Sequence, residues 1–181
     1  MQLGHINIRG KETDTGKMIF RYVLLLAMLP VSAALCAAEA GMQAPDFNLE
    51  ALQGDGSGTL SDYRGKVVLL DFWASWCGPC RKSLPLYNQM YRELSDENFE
   101  IIAINTDEDP ADGLKFLERL PVDYLVLQDP GASTPPLYQL KVMPSSYLIG
   151  PNGVIQKTFV GFREGEMAAV RSAVEELLNA Q

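Results

Sequence analysis

Two cysteines separated by two residues, Cys77-Gly78-Pro79-Cys80, are the residues of this chain best suited to chemistry. The apolar run Val67-Val68-Leu69-Leu70-Asp71-Phe72 precedes them, and Leu84, Tyr87, Tyr91 and Leu94 follow at helical spacing. This order predicts a strand running into the pair and a helix leaving it, with the cysteines on its first turn. Unpaired backbone N–H groups and the helix dipole favour an anion there, so Cys77 is expected to be exposed and readily ionised. A thiolate attacks disulfide sulfur, and a second thiol this close resolves the mixed disulfide within one molecule. Two other chemistries use the same spacing. Zinc needs two further ligands, and only Cys36 and the sole histidine, His5, remain, both in an N-terminal stretch expected to be removed. A purely structural disulfide across two residues would constrain the unfolded chain very little. A redox-active pair is the reading kept, with no metal and no cofactor.

Trp76-Cys77-Gly78-Pro79-Cys80 resembles the thioredoxin active site, and residues 42–180 resemble the TlpA/ResA-like branch of extracytoplasmic thiol–disulfide oxidoreductases. Asp71, six residues before Cys77, matches the buried acid of thioredoxins. Pro85, five after Cys80, matches the proline that kinks their active-site helix. Pro144 matches their cis-proline, and Gly161 a late glycine near the site. The resemblance implies an α/β, thioredoxin-like fold: a central mixed β-sheet flanked by helices, with a TlpA/ResA-type insertion between the active-site helix and Pro144. It implies Cys77 as nucleophile, Cys80 as resolving thiol and Asp71 as proton acceptor by way of a water. Pro144 would hold an extended substrate in register. Met143 would line the groove, where a flexible thioether tolerates varied partners, and Trp76 would form docking surface. The implied electron donor is a membrane thiol transporter, and the implied clients are disulfide-containing exported proteins, apocytochrome c among them. One departure bears on that last client. Many TlpA/ResA-like reductases carry a glutamate three residues after the second cysteine, where this chain has Ser83.

Targeting is read from the N-terminal residues. Tyr22 to Ala38 is uncharged, Arg21 stands before it, Val23 to Leu29 is apolar and Pro30 breaks the run. This is the pattern of a secretory signal peptide, with Ala38-Glu39-Ala40 or Cys36-Ala37-Ala38 as processing site and Met18 as the expected start. The alternative is an uncleaved anchor, short for a span; lipidation at Cys36 is excluded because Leu35 is not small. The chain thus divides into residues 1–40, an extension with signal peptide or anchor, and residues 41–181, a thioredoxin-like domain expected to act as a periplasmic or otherwise extracytoplasmic monomer. The removed segment takes four basic and three acidic residues with it, leaving eleven basic against twenty acidic. Nothing basic is clustered, which excludes nucleic acid and anionic membrane surfaces as partners. With no histidine left, Ser-His and Cys-His catalysis are excluded too.

The remaining pattern fills in the fold. Asp46 to Leu49, Phe99 to Asn105, Tyr124 to Leu127 and Val142 to Ile149 read as strands; Pro151-Asn152-Gly153 reads as a hairpin turn into Val154–Val160. Asp109 and Pro110 mark a helix start, after which Leu114, Leu117 and Leu120 are expected in the core. Thr134 to Leu140 reads as a short helix or turn. The stripe Met167, Val170, Val174, Leu177 and Leu178 closes the chain as a packed helix. Gly54 to Gly58 lacks the Lys-Ser/Thr of a phosphate loop. Asp107, Asp109 and Asp112 lack the late glutamate of a calcium loop. Asp71 interrupts an otherwise apolar strand; burial should raise its pKa, the alternative being a cap on the next turn. Three rival functions share this sequence: a disulfide-donating oxidase, a thiol peroxidase, and a non-catalytic client-binding module.

Overall fold

The computed structural model describes Met1 and residues 40–180. The expectations for residues 2–39, including the apolar segment, Met18 and Cys36, lie outside the described residues. Strands β1 (Asn48–Glu50) and β2 (Ser57–Thr59) pair antiparallel, and a 3-10 turn over Leu60–Tyr63 leads to β3 (Val67–Trp73). Helix α1 (Cys80–Leu94), β4 (Phe99–Asn105), α2 (Pro110–Arg119), β5 (Leu125–Gln128), β6 (Ser145–Ile149), β7 (Ile155–Val160) and α3 (Met167–Asn179) follow. The main sheet has the order β5-β4-β3-β6-β7. Its β3, β4 and β5 run parallel, while β6 and β7 join antiparallel. Parallel neighbours need long crossovers, which α1 and α2 provide; the antiparallel β6–β7 pair needs only the turn at Gly153, whose φ is 79°. This is the mixed, helix-flanked sheet that the resemblance implied.

All seven residues of β3 are buried, which is why the run is apolar without alternation. Val67, Leu69 and Trp73 face a cluster that takes Leu84 and Met90 from α1, Phe116 from α2, and Val170 and Val174 from α3. Val68, Leu70 and Phe72 face a second cluster, with Phe47, Leu60, Tyr138 and Tyr147. Alternation puts Asp71 on the first face, beneath α1.

Two expectations are corrected. Leu114 is exposed, not core. Asp109 accepts the Ala111 N–H at 3.0 Å and fixes the helix start, and Gly113, Phe116 and Leu117 then take the inward face, leaving Leu114 out of phase. Residues 134–140 form turns, the second of the two forms expected there; Pro135 and Pro136 remove two amide donors that a helix would use. The second correction concerns the cysteines.

Candidate active site

After Trp73 the chain folds back, and the Cys77 N–H donates to the Ala74 carbonyl at 3.1 Å. Helix α1 begins at Cys80, so Cys77 precedes the first turn that it was expected to share. The Cys80 amide, one of the helix's orphan donors, donates to Cys77 Sγ at 3.3 Å. The two sulfurs are bonded, with Cα atoms 5.3 Å apart. Cys80 is wholly buried and Cys77 is 4% exposed, far less than expected. The cause is local: the sulfur is committed to its partner and the Cys77 backbone is tucked into the turn. The pair is asymmetric nonetheless. Cys77 lines an open groove and holds a helix N-terminal N–H on its sulfur, which favours its thiolate once reduced. Cys80 has neither advantage.

The groove holds about 450 Å³ and is lined by Trp76, Cys77, Pro79, Leu140, Val142 and Met143, with Gly78 and Lys141 completing its edge. Trp76 is 69% exposed. The Met143–Pro144 bond is cis, as the resemblance implied. Gly161, at φ 78°, donates its N–H to the Pro144 carbonyl at 2.8 Å and so ties the cis-proline loop to the end of β7. The basic pair after Cys80 is engaged elsewhere: Lys82 bridges Glu164 at 3.1 Å, and the Arg81 guanidinium stacks over Phe116. Ser83 is buried, its hydroxyl donating to the Cys80 carbonyl at 3.3 Å.

Asp71 is fully buried in β3, opposite Ser146 of β6. Ser146 Oγ donates to Asp71 Oδ1 at 2.7 Å and lies 3.0 Å from the Tyr87 hydroxyl of α1. Among the described residues, Asp71 Oδ2 has no hydrogen-bond partner. Burial raises the Asp71 pKa to about 7, against the lowering effect of the Ser146 hydrogen bond. An acid that titrates near neutrality, in the same buried cluster side as the second thiol, can take a proton and return it.

A set of residues not given this role in the sequence holds the loop. Asp107 accepts from the Ser75 N–H and Ser75 hydroxyl, both at 2.9 Å, and from Asn105 Nδ2 at 2.8 Å. The Thr106 N–H donates to the Trp73 carbonyl at 3.0 Å. The end of β4 therefore fixes the turn that carries Trp76 and Cys77. Gly113 makes room for it: a Cβ there would meet the Asn105 side chain at 2.9 Å. The available signal was Asn105-x-Asp107 at a strand end, where Asp107 was weighed only as part of a calcium loop. Among the described residues, no group of three or more His, Cys, Asp or Glu side chains is arranged to hold a metal.

With this geometry in hand, likeness to known proteins is informative. The AhpC/TSA family matches residues 40–158. The thiol-disulfide oxidoreductase ResA of Geobacillus thermodenitrificans is 33% identical over 157 residues, covering 80% of this chain and 88% of that protein. The ResA of Bacillus subtilis is 33% identical over 121 residues, 67% of each chain. Among solved structures, a thiol:disulfide interchange protein assigned as DsbE from Chlorobium tepidum superimposes with a TM-score of 0.76 at 42% identity, over 78% of this chain and 99% of that one.

Proposed function

The chain belongs to the AhpC/TSA family as a ResA-like thiol–disulfide oxidoreductase, and we propose that it works as a reductase of disulfides in exported proteins. The asymmetry of the cysteine pair carries this reading: a groove-lining Cys77 with a helix amide on its sulfur, bonded to a fully buried Cys80. In the reduced protein, the Cys77 thiolate attacks a client disulfide. One client sulfur leaves and takes up a proton, and the other is held in a mixed disulfide. Cys80 then gives its proton to Asp71 through a water, and its thiolate attacks Cys77 Sγ. The second client thiolate leaves, and the Cys77–Cys80 bond closes. Two electrons pass to the client and two client thiols result.

The Gly78-Pro79 pair, shared with thioredoxin, favours this direction. Met143, Pro144, Gly161 and Trp76 receive the extended client segment. The reoxidised pair needs a fresh dithiol from a membrane electron donor, since exported compartments do not supply reductant. The export reading itself rests on residues 18–40. Ser83 in place of a glutamate argues for a client range broader than apocytochrome c.

Trapping tests the assignment. Reduced Cys80→Ser protein mixed with a disulfide-containing client should accumulate a mixed disulfide through Cys77, whereas the reduced wild type should release two client thiols. Trapping through Cys80 in a Cys77→Ser protein at an equal rate would overturn it.

A further inference from the structure

The Asp71 carboxyl is held by one oxygen only. Ser146 carries a single hydroxyl proton, and that proton goes to Asp71 Oδ1 at 2.7 Å. The 3.0 Å contact between Ser146 Oγ and Tyr87 must then be donated by the tyrosine. Tyr87 is buried, its ring edge-on to Phe162 at 5.9 Å between centroids, and burial pushes its hydroxyl well above the usual phenol range. It stays a neutral donor. The order Tyr87 → Ser146 → Asp71 Oδ1 is therefore fixed while Asp71 is ionised.

A proton arriving at Asp71 has two places to go. On Oδ1 it would displace the Ser146 proton, which would have to turn towards Tyr87. The Tyr87 proton would then lose its only acceptor among the described residues, and a buried unpaired donor costs about 1–3 kcal/mol. On Oδ2 none of these bonds is given up: among the described residues that oxygen has no partner, and the new O–H donates to the water through which the proton arrived. We propose that Ser146 and Tyr87 are positioning residues of the dithiol chemistry: they lock Asp71 Oδ1 as a permanent acceptor and confine the transferable proton to Oδ2. The inference rests on the proton-accepting role given to Asp71 above. The other groups facing Asp71 do not compete for this part. Tyr124, ahead of β5, is also held neutral by burial, and the β4 neighbour is Ala103.

The experiment compares wild type, Ser146→Ala, Ser146→Thr, Tyr87→Phe and Asp71→Asn. Each is read by the pH profile of client reduction and by the infrared C=O stretch of protonated Asp71, isolated by difference from Asp71→Asn. Removing the Ser146 donor withdraws a hydrogen bond from the carboxylate, so Ser146→Ala should raise the profile's midpoint by about one pH unit, a tenfold change in the ionisation constant. Its C=O stretch should move to higher frequency as the carbonyl loses its donor. Ser146→Thr should restore both, and Tyr87→Phe should shift both by less than half as much. An unmoved midpoint and stretch in Ser146→Ala, or no rescue by threonine, overturns the inference while leaving Asp71's role intact. An unchanged profile in Asp71→Asn overturns that role itself.

Discussion

The inner and outer sides of the Cys77–Cys80 bond are built on opposite principles. Behind it, Cys80, Asp71, Ser146 and Tyr87 are all buried, and most of their polar atoms are spoken for. In front of it, Trp76 and Val142 stand exposed around a groove whose lining is mostly apolar. The inner side fixes the energies of thiols and proton, so it tolerates little change. The outer side is apolar surface kept available, at some risk of unspecific association, and it is the side that the proposed client would meet. Chemistry and client choice should therefore separate under mutation.

The largest effect falls on the bond itself. Cys77→Ser should abolish client reduction, with loss of at least a thousandfold in turnover, while circular dichroism and urea unfolding stay close to those of the oxidised wild type. A client-binding module without redox chemistry would instead keep its function in vivo.

The inner side is tested next by Asp71→Asn, where the sign depends on pH. Asp71 has its folded pKa raised from 3.8 to about 7. The folded state thus binds the extra proton more tightly, and this contribution is fully present below pH 3.8 and is lost as pH rises through 7. Three pH units correspond to at most roughly 4 kcal/mol. Asparagine removes the buried charge, so in urea titrations the variant's stability relative to wild type should be higher at pH 8 than at pH 5, by roughly 3 kcal/mol at most for the two pH units between 5 and 7. Activity should move the opposite way, with resolution of the mixed disulfide slowed about a hundredfold. A stability difference independent of pH would mean that Asp71 does not titrate in this range.

On the outer side, Trp76→Ala should lower kcat/KM for protein clients about tenfold, as for loss of an aromatic anchor. It should leave reduction of a small aromatic disulfide within twofold, and stability within about 0.5 kcal/mol. Equal losses on both substrates would place Trp76 in the chemistry and erase the distinction between the sides.

The smallest effect concerns the support between them. Gly113→Ala improves helix propensity by up to about 1 kcal/mol, yet its Cβ would press on Asn105 and loosen the Asp107 clamp. Overpacking costs about 1–3 kcal/mol, so the net change should be a destabilisation of about 1 kcal/mol by urea unfolding. A stabilised variant would show that Asn105 can yield freely.

What the sequence made legible follows from how local each signal is. Val67–Phe72, the Cys77–Cys80 spacing and the α1 stripe are contiguous patterns, and the strand, the pair and the helix lie where those patterns place them, within one to three residues. Asp71 stood out because a carboxylate in an apolar run needs a reason. Its partner Ser146 did not, since a serine beside Pro144 has no periodic signature and the 71–146 pairing is set by sheet register. Asp107 was hidden by its acidic neighbours; only the fold brings Ser75 to it. Leu114 misled because leucines three apart suit a helical stripe, whereas α2 takes its phase from Asp109 and Gly113. Cys77 was expected at the surface on thiol reactivity alone, and the turn through Ala74 takes that surface away.

The reduction potential of the Cys77/Cys80 pair, measured by equilibration with glutathione, tests the central claim most directly. The account predicts about −250 mV or lower, the thioredoxin end of the range, where the dithiol would give electrons to protein disulfides. A value near −120 mV would contradict it and make the protein a disulfide donor.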